Sequence, residues 1–176
     1  MTTSTATATA TAPAIITQTN TPPAHGEYWP GQGGRYICTI AASLGLAARH
    51  LIASDTEAED LLFGPSLDVP GACSQLDGPS NTAALLATGK DHPAAAWAAA
   101  HTADGHTDFH LPSRHDLLMA YIYAPQHFNK EGWYWSSTQY SRNIAFVQDF
   151  EYGVSGWYSK GNGHRVRAFR WVHLNP

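Results

Sequence analysis

Residues 132–172 read GWYWSSTQYSRNIAFVQDFEYGVSGWYSKGNGHRVRAFRWV, and most of this stretch alternates between side chains that would face opposite sides of a strand. The alternation runs through 143–150, 154–159 and 164–172, and the glycine-containing segments EYG and KGNG separate these runs. A period of two residues is typical of β-strands, and short glycine-containing connections are typical of hairpins. The stretch therefore predicts three or four antiparallel strands in a C-terminal β-meander.

Alternation also assigns faces within these strands, because successive side chains point to opposite sides. In the last strand Val166, Ala168 and Arg170 are expected to share one face, and the other face is expected to carry Arg165, Arg167, Phe169 and Trp171. The residues expected in the core are Trp135, Phe146, Phe150, Val166 and Ala168.

Two of the regularly spaced arginines, Arg165 and Arg167, are interpreted as structural. Guanidinium groups on a strand pair with carboxylates on the neighbouring strand or stack on aromatic rings. The predicted carboxylate partners are Asp149 and Glu151, which are nearest in the expected meander, and stacking on Trp and Tyr rings is the alternative.

The part of the chain before the meander is mainly helical. Ser80 is a candidate N-cap for a helix that Gly89 would end, and Pro93 would lie in the first turn of an alanine-rich helix. Ser113 and Asp116 have the spacing of a capping box. The helix that follows is expected to place on one face Leu117, Leu118, Tyr121 and Ile122.

Two earlier runs, 35–41 and 49–54, are expected to be strands that join the late ones. Glycines 31, 33 and 34 are interpreted as turn residues, since the lysine and the hydroxyl residue of a nucleotide loop are missing. Helices followed by a terminal antiparallel sheet predict an α+β domain with two or three helices, whose two ends lie close together. Residues 1–25, rich in Thr, Ala and Pro, are expected to be a flexible arm, and residues 26–176 the domain.

Composition limits the function. A net charge of −4 without a basic block argues against a nucleic-acid partner. No apolar run reaches the roughly 20 residues that would cross a bilayer, so membrane insertion is not expected. The N-terminus lacks the basic and apolar regions of a standard secretory signal. The chain is therefore expected to be made in the cytoplasm.

The candidates for metal and catalytic chemistry are weak. The histidines His101, His106, His110 and His115 are interpreted as surface or capping residues, with a zinc site as the alternative, because their spacing matches no known zinc pattern. Calcium needs six to eight converging oxygens, whereas Gln148 and Asp149 face opposite ways on a strand. No serine-nucleophile motif is present, and Cys38 and Cys73 are interpreted as buried thiols that act as small apolar groups. The sequence therefore predicts no cofactor.

Several motifs in order resemble one family. DGHTDFHLPSRHDLLMAY, GWYWSSTQYS, AFVQDF and SKGNGHRVRAFRWV are similar to bacterial and phage domains that resemble the C-terminal region of collagen-like adhesins. The start of the domain, GEYWPGQGGRYICTIAA, resembles phage and prophage members. The resemblance covers about residues 26–174, and it departs from the family pattern at Phe109-His110, where Trp-Arg is usual. It implies a C-type-lectin-like fold with the binding surface at one aromatic-rich end.

The same architecture serves adhesins, phage receptor-binding proteins, the variable proteins of diversity-generating retroelements and formylglycine-generating enzymes, so the fold alone does not decide the function. Those enzymes depend on a cysteine pair in the C-terminal part of the domain, and no cysteine follows Cys73 here. We therefore expect no enzyme activity.

Tyrosine, tryptophan, serine and asparagine are the residue types of adaptable recognition surfaces. The residues expected to be exposed and to bind a ligand are Tyr140, Arg142, Asn143, Tyr152, Ser155, Trp157, Tyr158 and Asn162.

The sequence predicts a phage virion protein of the tail tip or fibre that binds a host-surface protein or glycan. The arm would attach it to other virion proteins or to sister chains, most simply in a homotrimer. The alternatives are a structural or decoration protein of the virion and a bacterial adhesin-like binding module. The sequence leaves the choice between the three open.

Overall fold

The described part of the chain, residues 21–174 of a computed structural model, forms a seven-stranded sheet with helices on both faces. The strands are β1 (Tyr28–Trp29), β2 (Gly34–Ile40), β3 (Arg49–Leu62), β4 (Trp133–Gln139), β5 (Ile144–Asp149), β6 (Ser155–Ser159) and β7 (Gly163–His173). The α-helices are α1 (Gly78–Ala87), α2 (Pro93–Ala100) and α3 (Arg114–Tyr123), and single 3₁₀ turns lie at Pro70–Ala72 and Pro125–His127. This arrangement confirms the predicted α+β class.

The strand order is β1-β2-β3-β7-β4-β5-β6, so the last strand lies in the centre. β7 pairs antiparallel with β3 and parallel with β4, while β4, β5 and β6 form an antiparallel meander. The prediction that early strands join late ones is confirmed. The alternative of a four-stranded meander is wrong, because β7 carries apolar side chains on both faces and is buried on both sides.

The two faces of the sheet bury separate clusters of apolar side chains. Val166 and Ala168 of β7 pack with Trp135 against α1 and α2, whereas Phe169 and Trp171 pack against α3. The five residues predicted to form the core are all buried, with no side chain more than 6% exposed. The period-two alternation therefore predicts correctly which side chains face the core, although it does not predict the order of the strands in the sheet.

Helix starts follow local capping chemistry. Ser113 and Asp116 form the predicted capping box, and Pro93 begins α2 as predicted. The prediction for α1 is wrong: its N-cap is Asp77, whose carboxylate accepts a hydrogen bond from the backbone N–H of Ser80 at 2.9 Å. Pro79 in the first turn favours this earlier start, because its fixed φ suits that position.

The buried face of α3 also differs from the prediction. Leu117 is buried together with Asp116 and Ala120, whereas Leu118 and Ile122 are 39% and 55% exposed. The capping box explains the rotation, since it holds the Asp116 carboxylate on the buried side of the first turn. Leu118 and Ile122, one turn apart on the same side, are left facing outward.

The β5–β6 turn packs directly onto α3. Gly153 has a φ of +76°, which favours glycine, and a Cβ there would meet the ring of Tyr121 at 2.3 Å. This close approach fixes the position of β6, the outer strand of the meander, relative to the helix.

The predicted arm, residues 1–25, lies mostly outside the described residues. Of its last five residues, His25 contacts β2: its Nδ1 lies 2.6 Å from the carbonyl oxygen of Ile37. None of the helices between residues 21 and 174 is long and apolar enough to cross a membrane.

Candidate binding surface

The aromatic rings of the meander divide into buried and exposed sets. Tyr134 and Trp135 are fully buried, whereas Tyr140 and Trp157 are each 58% exposed. Large aromatic side chains that are exposed in the free domain bury apolar area when a partner covers them. Tyr140 and Trp157 are therefore the candidates for recognition.

Tyr140 and Trp157 come together on one side of the sheet. Their ring centroids are 5.6 Å apart and their planes differ by 11°, so the rings are stacked. Phe146, which is opposite Trp157 in the β5–β6 register, packs its ring edge-on against Tyr140 at 5.4 Å. The stack therefore stands on a buried ring. We call Tyr140, Trp157 and Phe146 the ring-pair surface.

Arg114, the first residue of α3, extends this surface toward the helix. Its guanidinium carbon lies 4.4 Å from the centre of the Phe146 ring. Its Nε donates a hydrogen bond to Ser155 Oγ at 2.9 Å, and another of its nitrogens donates to Gln75 Oε1 at 3.1 Å. A cation that also packs on a ring is held in place, so Arg114 presents a fixed positive charge beside the ring pair.

A cleft of about 210 Å³ adjoins Arg114. Its lining consists of Gln75, Leu76, Arg114, His115, Leu118 and Ser155. The cleft combines an apolar wall with amide, hydroxyl and guanidinium groups, which is the composition of a small polar-ligand site. The sequence pointed to Ser155 but missed Arg114 and Gln75, because nothing in the local pattern shows that the first turn of α3 reaches over β5.

The structure separates the eight predicted site residues. Tyr140, Trp157 and Ser155 belong to the ring-pair surface and its adjoining cleft. Arg142, Asn143 and Asn162 are exposed in turns at the same end of the meander, where Lys160 N–H donates to the carbonyl of Asn143.

Two predicted residues lie elsewhere. Tyr158 faces the opposite side of β6, where its ring lies 5.4 Å from Trp133 and 4.8 Å from His164. Tyr152, 75% exposed, is in the β5–β6 turn at the far end of β5 from Tyr140. The predicted set is therefore exposed or half-buried throughout but does not form one surface.

The structural interpretation of Arg165 and Arg167 is correct, but the predicted partners are wrong. Both guanidinium groups bond to Glu57 of β3, at 2.8 Å and 2.6 Å, rather than to Asp149 or Glu151. Tyr134 donates a third hydrogen bond to Glu57, at 2.6 Å. The reason is the strand order, which places β3 and not β5 beside β7. Asp149 instead accepts hydrogen bonds from the backbone of the β5–β6 turn.

A second polar cluster lies at the end of β4. Lys160 is only 1% exposed, and its Nζ donates to Gln139 Oε1 at 2.6 Å and to the carbonyl of Leu67 at 2.7 Å. Gln139 in turn donates from Nε2 to Asp68 Oδ1 at 2.6 Å. Burial lowers the pKa of Lys160 to about 8, although the nearby Asp68 carboxylate opposes that shift. No local sequence pattern predicts this cluster.

The two cysteines differ. Cys38 is buried as predicted, and burial raises the pKa of its thiol to about 12. Cys73 is exposed, so the prediction of a buried thiol is wrong there. It lies just after the 3₁₀ turn Pro70–Ala72, with Sγ 3.9 Å from Gln139 Nε2.

The histidines of the 101–115 segment contact different partners and do not form one cluster. His101 packs against Trp97 and Phe109, His106 lies 2.9 Å from the carbonyl of Gly31, and His110 is buried against Trp171. Between residues 21 and 174, no group of three or more His, Cys, Asp or Glu side chains is placed to hold a metal ion.

Histidines in buried and half-buried positions predict acid sensitivity. Burial lowers the pKa of His110 to about 3 and also lowers the pKa of His92, His101 and His164. As pH falls below the ordinary histidine pKa of about 6.5, the unfolded chain binds protons that the folded chain does not. The free energy of unfolding is therefore expected to fall with pH, with His110 alone contributing about 2 kcal/mol between pH 6.5 and 5.

Urea unfolding at pH 5, 6 and 7 measures this slope. Asp116 acts in the opposite direction, since burial raises its pKa to about 6 and the folded chain takes up that proton first. We expect the histidines to dominate, and His110→Gln should give a shallower slope than the wild-type chain. Equal slopes for the two proteins would contradict the assignment to His110.

No protein-family model matches the chain, and no curated protein matches it at a significant level. The functional proposal therefore depends on the surface itself and on the motif resemblance.

Proposed function

We propose that the domain is a non-catalytic binding module that recognises a host-surface molecule through the ring-pair surface and the adjoining cleft. The observation that carries the proposal is the exposed stack of Tyr140 on Trp157 beside the fixed guanidinium of Arg114. Rigid rings next to hydrogen-bonding groups supply contact area with little loss of side-chain entropy on binding. Aromatic and arginine side chains also dominate the affinity of measured interfaces.

The motif resemblance supports a C-type-lectin-like domain in a phage virion, at the tail tip or fibre. In this proposal residues 1–25 join the domain to other virion proteins or to sister chains in a homotrimer. Several copies on one particle raise avidity well above the affinity of a single site, so weak single-site binding is sufficient. Sedimentation of the full chain gives its oligomeric state, and a monomer would remove the trimer from the proposal.

The test is binding of the labelled full chain to bacterial cells and to surface polysaccharide purified from them. Trp157→Ala combined with Tyr140→Ala is expected to weaken binding by at least about 30-fold, since the loss of even one hot-spot aromatic side chain costs roughly 2 kcal/mol or more. The melting temperature should stay within about 2 °C of the wild-type value, because surface substitutions change stability little.

Tyr152→Ala is the matched control. Tyr152 is the most exposed tyrosine of the meander but lies at the far end of β5, so its loss should leave binding unchanged. Binding that is insensitive to the double substitution, or equally sensitive to Tyr152→Ala, would reject the ring-pair surface as the site.

A further inference from the structure

The cluster at the end of β4 brings an amine, an amide and a carboxyl group into contact. Lys160 and Gln139 are 1% and 2% exposed, and Lys160 Nζ lies 2.6 Å from Gln139 Oε1. Asp68 Oδ1 lies 2.6 Å from Gln139 Nε2 on the other side of the same amide. The three side chains belong to three separate parts of the fold: the turn after β6, the end of β4 and the loop after β3.

Two neighbours of the Gln139 amide have positions that acyl transfer requires, and the Lys160 amine already contacts the oxygen of the same amide. The backbone N–H of Val69 donates to Gln139 Oε1 at 3.2 Å, which is where negative charge develops when a nucleophile adds to the amide carbon. Asp68 contacts the nitrogen that would leave, so its carboxyl group is placed to carry a proton there. Water has little access to Lys160 and Gln139, which favours reaction between the two side chains over hydrolysis.

The amine must be neutral to react. A lysine in water, with a pKa near 10.4, is almost entirely protonated at neutral pH. Burial lowers the pKa of Lys160 to about 8, so about a tenth of the molecules carry the free amine at pH 7 and about half at pH 8. A buried lysine with a lowered pKa is the usual form of a nucleophilic lysine.

We propose that Lys160 and Gln139 form an intramolecular amide cross-link with the loss of ammonia. Lysine Nζ attacks Cδ of Gln139, the Nζ–Cδ bond forms, and the Cδ–Nε2 bond breaks. One proton passes from Nζ through the Asp68 carboxyl group to Nε2, which leaves as ammonia. An amine and a primary amide thus become a secondary amide and ammonia, and the reaction needs no oxidant, reductant or cofactor.

The cross-link would close a covalent ring through residues 139–160, joining the end of β4 to the turn after β6. This ring contains the β4–β5 turn and all of β5 and β6, so it would hold together the part of the meander that carries Tyr140 and Trp157. The inference does not depend on the proposed function, because the three contacts are internal to the domain.

Intact mass of the purified, denatured full chain tests the proposal. Loss of ammonia is expected to make the chain about 17 Da lighter than its sequence mass, and the fraction cross-linked should rise on incubation at pH 8 to 9 as the amine deprotonates. Trypsin should release residues 131–142 and 143–165 as one linked species, since an acylated Lys160 is not cleaved. The full sequence mass together with a free peptide ending at Lys160 would overturn the proposal.

Two variants separate this reaction from another loss of ammonia. Asn162-Gly163 could form a cyclic imide with the same mass change. Asn162→Ala should therefore keep the mass loss, whereas Lys160→Arg should abolish it. Gln139→Glu should show no loss of 17 Da, because its side chain has no amide nitrogen to release as ammonia. A mass loss that persists in Lys160→Arg and vanishes in Asn162→Ala would overturn the cross-link.

Discussion

Replacing Glu57 with glutamine is expected to lower the free energy of unfolding by about 3 kcal/mol, because it removes the carboxylate that two largely buried guanidinium groups share. Arg165 and Arg167 both bond to Glu57, and their side chains are 14% and 7% exposed. Glutamine has nearly the same shape, so the change tests charge and hydrogen bonding rather than packing.

The amide cannot restore the network in either orientation. Glu57 Oε1 accepts from Arg165, while Oε2 accepts from Arg167 and from Tyr134. Whichever position the NH₂ group of glutamine takes, a donor then faces a donor, and at least one partner is left unsatisfied.

Glu59→Gln is the matched control for this prediction. Glu59 also bonds to Arg165, but its side chain is 68% exposed, so its loss should cost less than about 1 kcal/mol. Urea unfolding followed by tryptophan fluorescence measures both variants. Equal effects of the two substitutions would contradict the central role of Glu57.

The same network has a pH dependence of its own. Burial pushes the pKa of Glu57 upward, but the hydrogen bond from Tyr134 and the charges of Arg167 and Arg165 hold the net pKa below its ordinary value. A lowered carboxylate pKa contributes stability above the unfolded pKa and loses it as pH falls through the folded pKa. This loss should therefore occur at lower pH than the loss that the histidines cause.

The substitution with the largest expected effect on packing is Trp135→Ala, which should lower the free energy of unfolding by about 4 kcal/mol. Trp135 is fully buried, with its ring 5.5 Å from that of Phe63 and 4.7 Å from that of His164. Its indole N–H donates to the carbonyl of Leu61 at 2.9 Å, so alanine leaves both a cavity and an unpaired backbone group.

Trp157→Ala is the control, because it removes the same side chain from the same meander. Trp157 is 58% exposed, and its truncation should change the free energy of unfolding by less than about 0.5 kcal/mol. Thermal and urea unfolding of the two variants compare them directly. A stable Trp135→Ala protein would show that the assignment of faces in β4 is wrong.

Local chemistry predicted much of the fold, and long-range pairing is where prediction failed. The capping box at Ser113, the strands after residue 132 and the five core residues follow from spacing alone. The central position of β7 does not, because alternation describes the faces of a strand and not its neighbours. The wrong partners for Arg165 and Arg167 follow from that one error.

The candidate site was predictable in part. Tyr140 and Trp157 were recognised as exposed rings, and the separation of Tyr158 from Trp157 could have been seen, since adjacent strand residues face opposite ways. The sequence pattern does not reveal Arg114 and Gln75, because Arg114 reaches Phe146 from a helix and Gln75 reaches Arg114 from a loop. Lys160 and Gln139 meet only because the end of β4 lies beside the turn after β6.

The position of β7 constrains how the domain is assembled during synthesis. Strands β1–β3 and β4–β6 are joined into one sheet through β7, which is translated after all of them. At about 5–20 residues per second, the ribosome completes the first three strands several seconds before the joining segment exists. Until β7 is synthesised, β3 and β4 each lack a neighbouring strand. Folding can therefore finish only after residue 173 has left the ribosome. Chains that stop short of Gly163 should be held by chaperones or degraded.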